Sequence, residues 1–184
     1  MLVSQAMQPL PLPSPLVVLM GVSGSGKTTL GQLLAQRSGG IFLDADDFHP
    51  PENIAKMRRG EPLDDADRSH WLDSLATLLA AHPCDGPPLF LACSALKNSY
   101  RLTLRAAAPQ RVRFFFLNAP PELIQQRLQQ RQAHGQHFMP PELLASQFAS
   151  LDPPSDAIDA IPVDVSLPPE ALAEDILRIL AIQD

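Results

Sequence analysis

The stretch Gly21-Val-Ser-Gly-Ser-Gly-Lys27-Thr28 constrains this chain more than any other. It fits G-x-x-x-x-G-K-[ST], a pattern that carries a mechanism when it sits between a strand and a helix. Both flanks comply. Leu16–Met20 is a continuous apolar run of strand length, and Thr29–Arg37 sets Leu30, Leu33 and Leu34 at helical spacing. Glycines let such a loop wrap a phosphate chain with its N–H groups turned inward, and the helix N-terminus adds positive potential. Gly21, Val22, Ser23, Gly24, Ser25, Gly26, Lys27, Thr28 and Thr29 are therefore the expected contacts to ATP or another nucleoside triphosphate. Lys27 supplies charge at the β- and γ-phosphates, and the Thr28 hydroxyl is an expected Mg²⁺ ligand. A chance glycine-rich turn is the alternative, and both flanks disfavour it.

The remainder reads as alternating strand and helix. Apolar runs occur at Leu16–Met20, Ile41–Leu43, Leu89–Cys93, Val112–Leu117 and, weakest, Val163–Val165. Such runs fit strands buried on both faces of a parallel α/β sheet with right-handed crossovers. Prolines mark the helix starts. Pro-Pro-Glu occurs at 50–52, 120–122, 140–142 and 168–170, each time before a run with helical spacing. Proline suits the first helical position, and glutamate in the first turn faces the positive end of the helix dipole. The triplets recur at no fixed period, so they are not a repeat. Phe48 to about Pro83 reads as two helices, with Trp71, Leu72, Leu75, Leu78 and Leu79 on the core face of the second. Two helices exceed a simple crossover, so 47–85 is expected to form a substrate-side subdomain. Residues 1–15, with four prolines and no periodic pattern, read as a loose tail, and 16–184 as one domain.

Composition narrows the partners. Lys plus Arg is 14 against 20 Asp plus Glu, a net charge of −6. A binder of nucleic acid would show a basic footprint instead. No apolar run approaches the ~20 residues of a membrane helix, and Met1–Ser14 lacks a charged signal-peptide start. Two cysteines, Cys84 and Cys93, make neither a disulfide scaffold nor a zinc site alone. Reduced thiols in a cytoplasmic protein are the expectation.

The phosphate loop does not by itself choose among a GTPase, an ATPase and a small-molecule kinase. A guanine-reading Asn-Lys-x-Asp motif is missing, and strand three ends Leu91-Ala92-Cys93-Ser94 with no carboxylate. The acids follow strand two instead, in Asp44-Ala45-Asp46-Asp47. That places them at the carboxyl edge of the sheet, where a second substrate would sit. Asp46 is the best candidate to orient an alcohol nucleophile, and Asp44 to support Mg²⁺; a capping or turn cluster is the alternative for both.

Three further polar stretches complete a pattern: Phe42-Leu-Asp-Ala-Asp-Asp-Phe-His49-Pro, Gly60-Glu-Pro-Leu-Asp-Asp-Ala-Asp-Arg68-Ser-His-Trp71-Leu, and Cys93-Ser-Ala-Leu-Lys97-Asn-Ser-Tyr100-Arg101. With Gly21–Thr28 they resemble the gluconate kinase family, and Asn53, Lys56, Met57, Gly60, Pro62 and Leu63 match as well. His137-Phe-Met, Ser146-Gln147-Phe148 and Leu151-Asp-Pro are similar to the family's closing motifs, so the resemblance spans roughly 17–154. Ala45 stands where many members have glycine. The stretch Arg131–His137 is longer than the common form; His137 keeps the following Phe-Met and so takes the lid role ahead of His134.

The resemblance implies a three-layer P-loop kinase fold, sheet order 2-3-1-4-5, with a lid at about 127–142. It implies transfer of the ATP γ-phosphoryl group to the 6-hydroxyl of D-gluconate, with Mg²⁺. Lys27, Asp46 and Arg131 are then the expected catalytic residues, and Arg127 joins the ATP contacts. A sugar acid needs a cation for its carboxylate and polar groups for its hydroxyls. Asp46, His49, Arg68, Lys97, Arg101, His137 and Gln147 are the available groups. A shikimate or nucleoside monophosphate kinase on the same fold is the nearest rival, and an ATP-binding regulatory protein the rival from another class. A homodimer is left open.

Overall fold

A computed structural model of the protein describes residues 14–133 and 141–182, with the side chains of 131–133, 141, 142, 181 and 182 outside the description. Residues 1–13 of the expected tail over 1–15, and the expected lid residues His134 and His137, fall outside the described residues, as does the side chain of Arg131.

Five strands form one parallel sheet: β1 (Leu16–Met20), β2 (Ile41–Asp44), β3 (Leu89–Ala92), β4 (Val112–Asn118) and β5 (Ile161–Asp164). Their order is β2-β3-β1-β4-β5, as the resemblance implied. The helices are α1 (Lys27–Ser38), α2 (Pro51–Arg58), α3 (Asp65–Ala81), α4 (Asn98–Ala107), α5 (Pro121–Ala133), α6 (Pro141–Ser150) and α7 (Pro169–Ile182). A 3-10 turn, Ala45–Phe48, follows β2. The second proline of every Pro-Pro-Glu triplet is the first residue of a helix, at Pro51, Pro121, Pro141 and Pro169.

Strand side chains alternate between faces, so each central strand feeds two cores. Leu16, Val18 and Met20 join Leu89, Leu91, Phe114 and Phe116 under α3 and α4. Val17 and Leu19 join Phe90, Phe115 and Leu117 under α1 and α7. This is why the central strands are apolar throughout and why three layers result.

Three details depart from the sequence reading. The fifth strand begins at Ile161, two residues before the expected start, and contains Pro162. Its missing N–H is tolerated because β5 is an edge strand, paired only to β4. Second, α3 is built into the main core. Trp71, Leu72, Leu75 and Leu79 pack with the sheet, in the same cluster as Ala45 of the 3-10 turn. Third, Ser14 and Pro15 belong to the folded body: the Ser14 N–H donates to the Cys84 carbonyl at 2.8 Å, and the Leu89 N–H to that of Pro15 at 3.2 Å.

Candidate active site

The loop between β1 and α1 sits at the carboxyl edge of the sheet. Gly21 has φ 143°, and a Cβ there would lie 2.9 Å from the Leu117 carbonyl oxygen. Gly26, the residue before α1, has φ 106°. Both positions demand glycine, for close approach and for backbone conformation. Lys27 folds back over the loop, its Nζ donating to the carbonyls of Gly21 and Val22 at 2.9 Å each. Two neighbours brace the loop. Gln147 of α6 accepts from the Ser23 N–H at 2.6 Å, and Arg127 of α5 donates to the carbonyls of Ser25 (3.1 Å) and Val165 (2.8 Å). Gln147, expected at the sugar acid, thus holds a loop amide, and Arg127, expected at ATP, reaches the same loop.

Two clefts flank the loop. One, of about 440 Å³, is lined by Gly26, Thr29, Leu117, Arg127, Val165 and Leu172. Its apolar wall suits the base and ribose of a nucleotide. The other, of about 210 Å³, is lined by Lys27, Thr28, Asp44, Asp46, Ser94 and Gln147. Sequence reasoning singled out neither Ser94 nor the Val165–Leu172 wall; the only trace of the latter was the final apolar run.

Asp44 has two tasks, one per oxygen. Oδ1 accepts the Asp46 N–H at 3.1 Å and caps the 3-10 turn, while Oδ2 accepts the Thr28 hydroxyl at 3.0 Å. The capping reading of Asp44 is thus realised through one oxygen, and the other lies beside the Thr28 hydroxyl. Two hard oxygen donors facing one cleft fit Mg²⁺, which binds through few protein ligands and otherwise keeps water and substrate phosphates. Asp46 rides on the same turn with its side chain 79% exposed.

The turn is anchored from below. The Trp71 indole N–H donates to the Ala45 carbonyl at 2.7 Å. The His49 ring stacks on Trp71, centroids 4.5 Å apart and 12° from parallel. His49 was expected to contact the acceptor, yet it is only 9% exposed. Its burial, with Arg68 nearby, pushes the imidazole down to about 4. Asn53, buried beside it, donates to the Asp67 carbonyl at 2.7 Å.

Arg68 and Lys97 approach the Tyr100 ring at 5.9 and 5.7 Å. Lys97 donates to both oxygens of Asp65, at 2.7 and 2.8 Å, and the Tyr100 hydroxyl donates to the same carboxylate. Those bonds hold the Asp65 carboxyl below its ordinary range and raise Lys97. Asp64 and Asp67 cap the start of α3 reciprocally, each side chain accepting the other's N–H at 2.8 Å.

Arg101 requires a correction. It is 1% exposed, and its guanidinium is bound to Asp159 at 2.9 and 2.6 Å and to the carbonyls of Ala95, Leu96 and Asp152. It cannot meet a sugar acid. It ties the loop after β3, in which Ala95 holds φ 42°, to the segment leading into β5. Asp159 was invisible to sequence reasoning, because 58 residues separate the pair. Cys93 is buried, and that burial pushes its thiol up to about 12, away from the thiolate form.

An AAA domain family model matches residues 16–154. The chain is similar to a gluconokinase from Arabidopsis thaliana, 40% identical over 90% of this chain and 92% of that protein. It is similar in structure to a sugar kinase from Janibacter sp. HTCC2649, with TM-score 0.83 and 46% identity over 92% and 96% of the two chains. A gluconokinase from Sinorhizobium meliloti 1021 gives TM-score 0.78 and 37% identity over 95% and 99%. A shikimate kinase from Acinetobacter baumannii, 20% identical over 93% and 95% with TM-score 0.56, shares the fold alone.

Proposed function

The chain belongs to the gluconokinase family, and from that membership we propose how its own residues carry phosphoryl transfer from ATP to the 6-hydroxyl of D-gluconate. The observation that supports this most is the shared cleft of Lys27, Thr28, Asp44 and Asp46. One wall binds phosphate and the opposite wall presents a carboxylate to an alcohol.

The loop N–H groups cradle the phosphates, and Lys27 exchanges its two carbonyl partners for phosphate oxygens. Its charge counts most as negative charge gathers on the bridging oxygen. Arg127 steadies the loop from the nucleotide side, and Arg131 acts on the transferring phosphoryl group. Thr28 and Asp44 would hold Mg²⁺, which when bound neutralises the β- and γ-phosphates. Asp46 aligns the 6-hydroxyl and takes its proton as the new O–P bond forms and the bond to ADP breaks. Arg68 and Lys97 are the cations for the gluconate carboxylate, and His137 is a further acceptor contact by the family resemblance alone. Lys97 must then share itself between the acceptor and Asp65, which favours an anion that can displace or bridge that pair.

The test is ADP release from the purified protein against D-gluconate, other sugar acids, shikimate and nucleoside monophosphates. Gluconate should show the highest kcat/KM. Faster turnover of shikimate or a nucleotide, or ATP binding with no acceptor turnover, would replace this reading with one of its rivals.

A further inference from the structure

We propose that His49 is a positioning residue: held by Asn53 as the tautomer protonated on Nε2, it donates that N–H to Asp46 and aims the carboxylate at the acceptor hydroxyl. This rests on the reading of Asp46 given above and adds a mechanism for its orientation.

Asn53 decides the tautomer. Its Nδ2 donates to the Asp67 carbonyl at 2.7 Å, a bond that an amide oxygen could not make, so the orientation of the amide is determined. The same Nδ2 lies 3.5 Å from His49 Nδ1. A nitrogen facing a donor must accept, and an uncharged imidazole then carries its single proton on Nε2. Nε2 is the atom turned toward Asp46, 3.9 Å from Oδ1. Closing that gap to a hydrogen bond takes about 1 Å, within reach of a side chain that is 79% exposed on a short turn. Catalytic hydrogen bonds are commonly loose before substrate binds and tighten in the complex.

The surroundings make His49 a rigid support. Its ring is clamped on Trp71, and Trp71 also pins the turn that carries Asp46 through the Ala45 carbonyl. One buried platform of Trp71, His49 and Asn53 therefore sets both the backbone and the side-chain direction of the exposed carboxylate. Such a shell holds a catalytic group to the tolerance that alignment requires.

The experiment combines spectra and kinetics on the full chain. In ¹⁵N-labelled protein at neutral pH, two-bond ¹H–¹⁵N correlations should show His49 protonated on Nε2. Asn53→Asp replaces the donor by an acceptor and should move the proton to Nδ1. Its kcat should fall about 10-fold or more with the gluconate KM nearly unchanged. In an Asp46→Asn background the same substitution should cost nothing further, because its route runs through Asp46. His49→Gln, which keeps a donor near the Nε2 position, should retain far more kcat than His49→Ala. If Asn53→Asp folds poorly, the wild-type tautomer and the His49 pair still decide. An Nδ1-protonated or doubly protonated wild-type ring, an additive loss in the Asp46→Asn background, or a His49 effect confined to gluconate KM overturns the proposal while Asp46 stands. A fully active Asp46→Asn enzyme removes the reading of Asp46 and the proposal with it.

Discussion

Replacing Asp159 by alanine strands a buried cation. Arg101 is 1% exposed and Asp159 12%, and the variant removes two short charge-assisted hydrogen bonds at 2.9 and 2.6 Å. Breaking one side of a buried pair costs about 3–5 kcal/mol, because the remaining charge is left uncompensated. Three carbonyl contacts stay with Arg101, which places the expectation toward the lower end, about 3 kcal/mol. The assay is urea unfolding followed by circular dichroism at pH 7. Replacing both partners, as Arg101→Met with Asp159→Leu, should cost less than Asp159→Ala alone. The pair also predicts a pH dependence. Arg101 holds the Asp159 carboxyl below its ordinary value of 3.8, so the folded state binds fewer protons there than the unfolded chain. That stability is fully present above the ordinary value and is lost as pH falls through the lowered one. The wild type should therefore converge on Asp159→Ala in acid. A cost below about 1 kcal/mol at pH 7 would refute the reasoning, because it would mean that the guanidinium finds water or another anion.

Four substitutions in the site have kinetic outcomes to check. Lys27→Ala should lower kcat by ~10² or more with circular dichroism intact; an active, folded variant would contradict the assignment of the loop. Asp46→Asn should lower kcat by ~10²–10⁴ at any Mg²⁺ concentration, whereas the Asp44→Asn loss should be partly relieved by raising Mg²⁺. If Asp46→Asn keeps more than about half of kcat, the carboxylate role passes to Asp47 or Asp65. Arg131→Ala should reduce kcat more than it raises the gluconate KM, and a pure KM effect would move Arg131 to the acceptor.

Elements whose physics is local were legible in the chain. β1 was read to the residue because both its faces are buried and the loop glycine ends it. The four proline-marked helix starts were legible for the same reason: a missing N–H costs nothing at the first helical position. β5 was misplaced because an edge strand admits Pro162, which reads locally as a break. At the site, the sequence identified Lys27, Thr28, Asp44 and Asp46, which lie near one another in one cleft. It misread Arg101, since a motif names the residue but not its distant partner Asp159. It also passed over Asn53 and Trp71 as supports, because stacking on His49 and a bond to the Ala45 carbonyl arise only on folding. The leucine face of α3 was seen correctly, yet its place beneath the sheet rather than in a separate subdomain depended on packing.

The most direct test of the central claim is the chemical identity of the product. The purified protein is supplied with ATP, Mg²⁺ and ¹³C-labelled D-gluconate, and the mixture is followed by ³¹P and ¹³C NMR. One phosphorylated product is expected, with phosphorus coupling at C6, formed one-for-one with ADP and abolished in Lys27→Ala. Phosphorus on any other carbon, or ADP formed with no sugar phosphate, would contradict it.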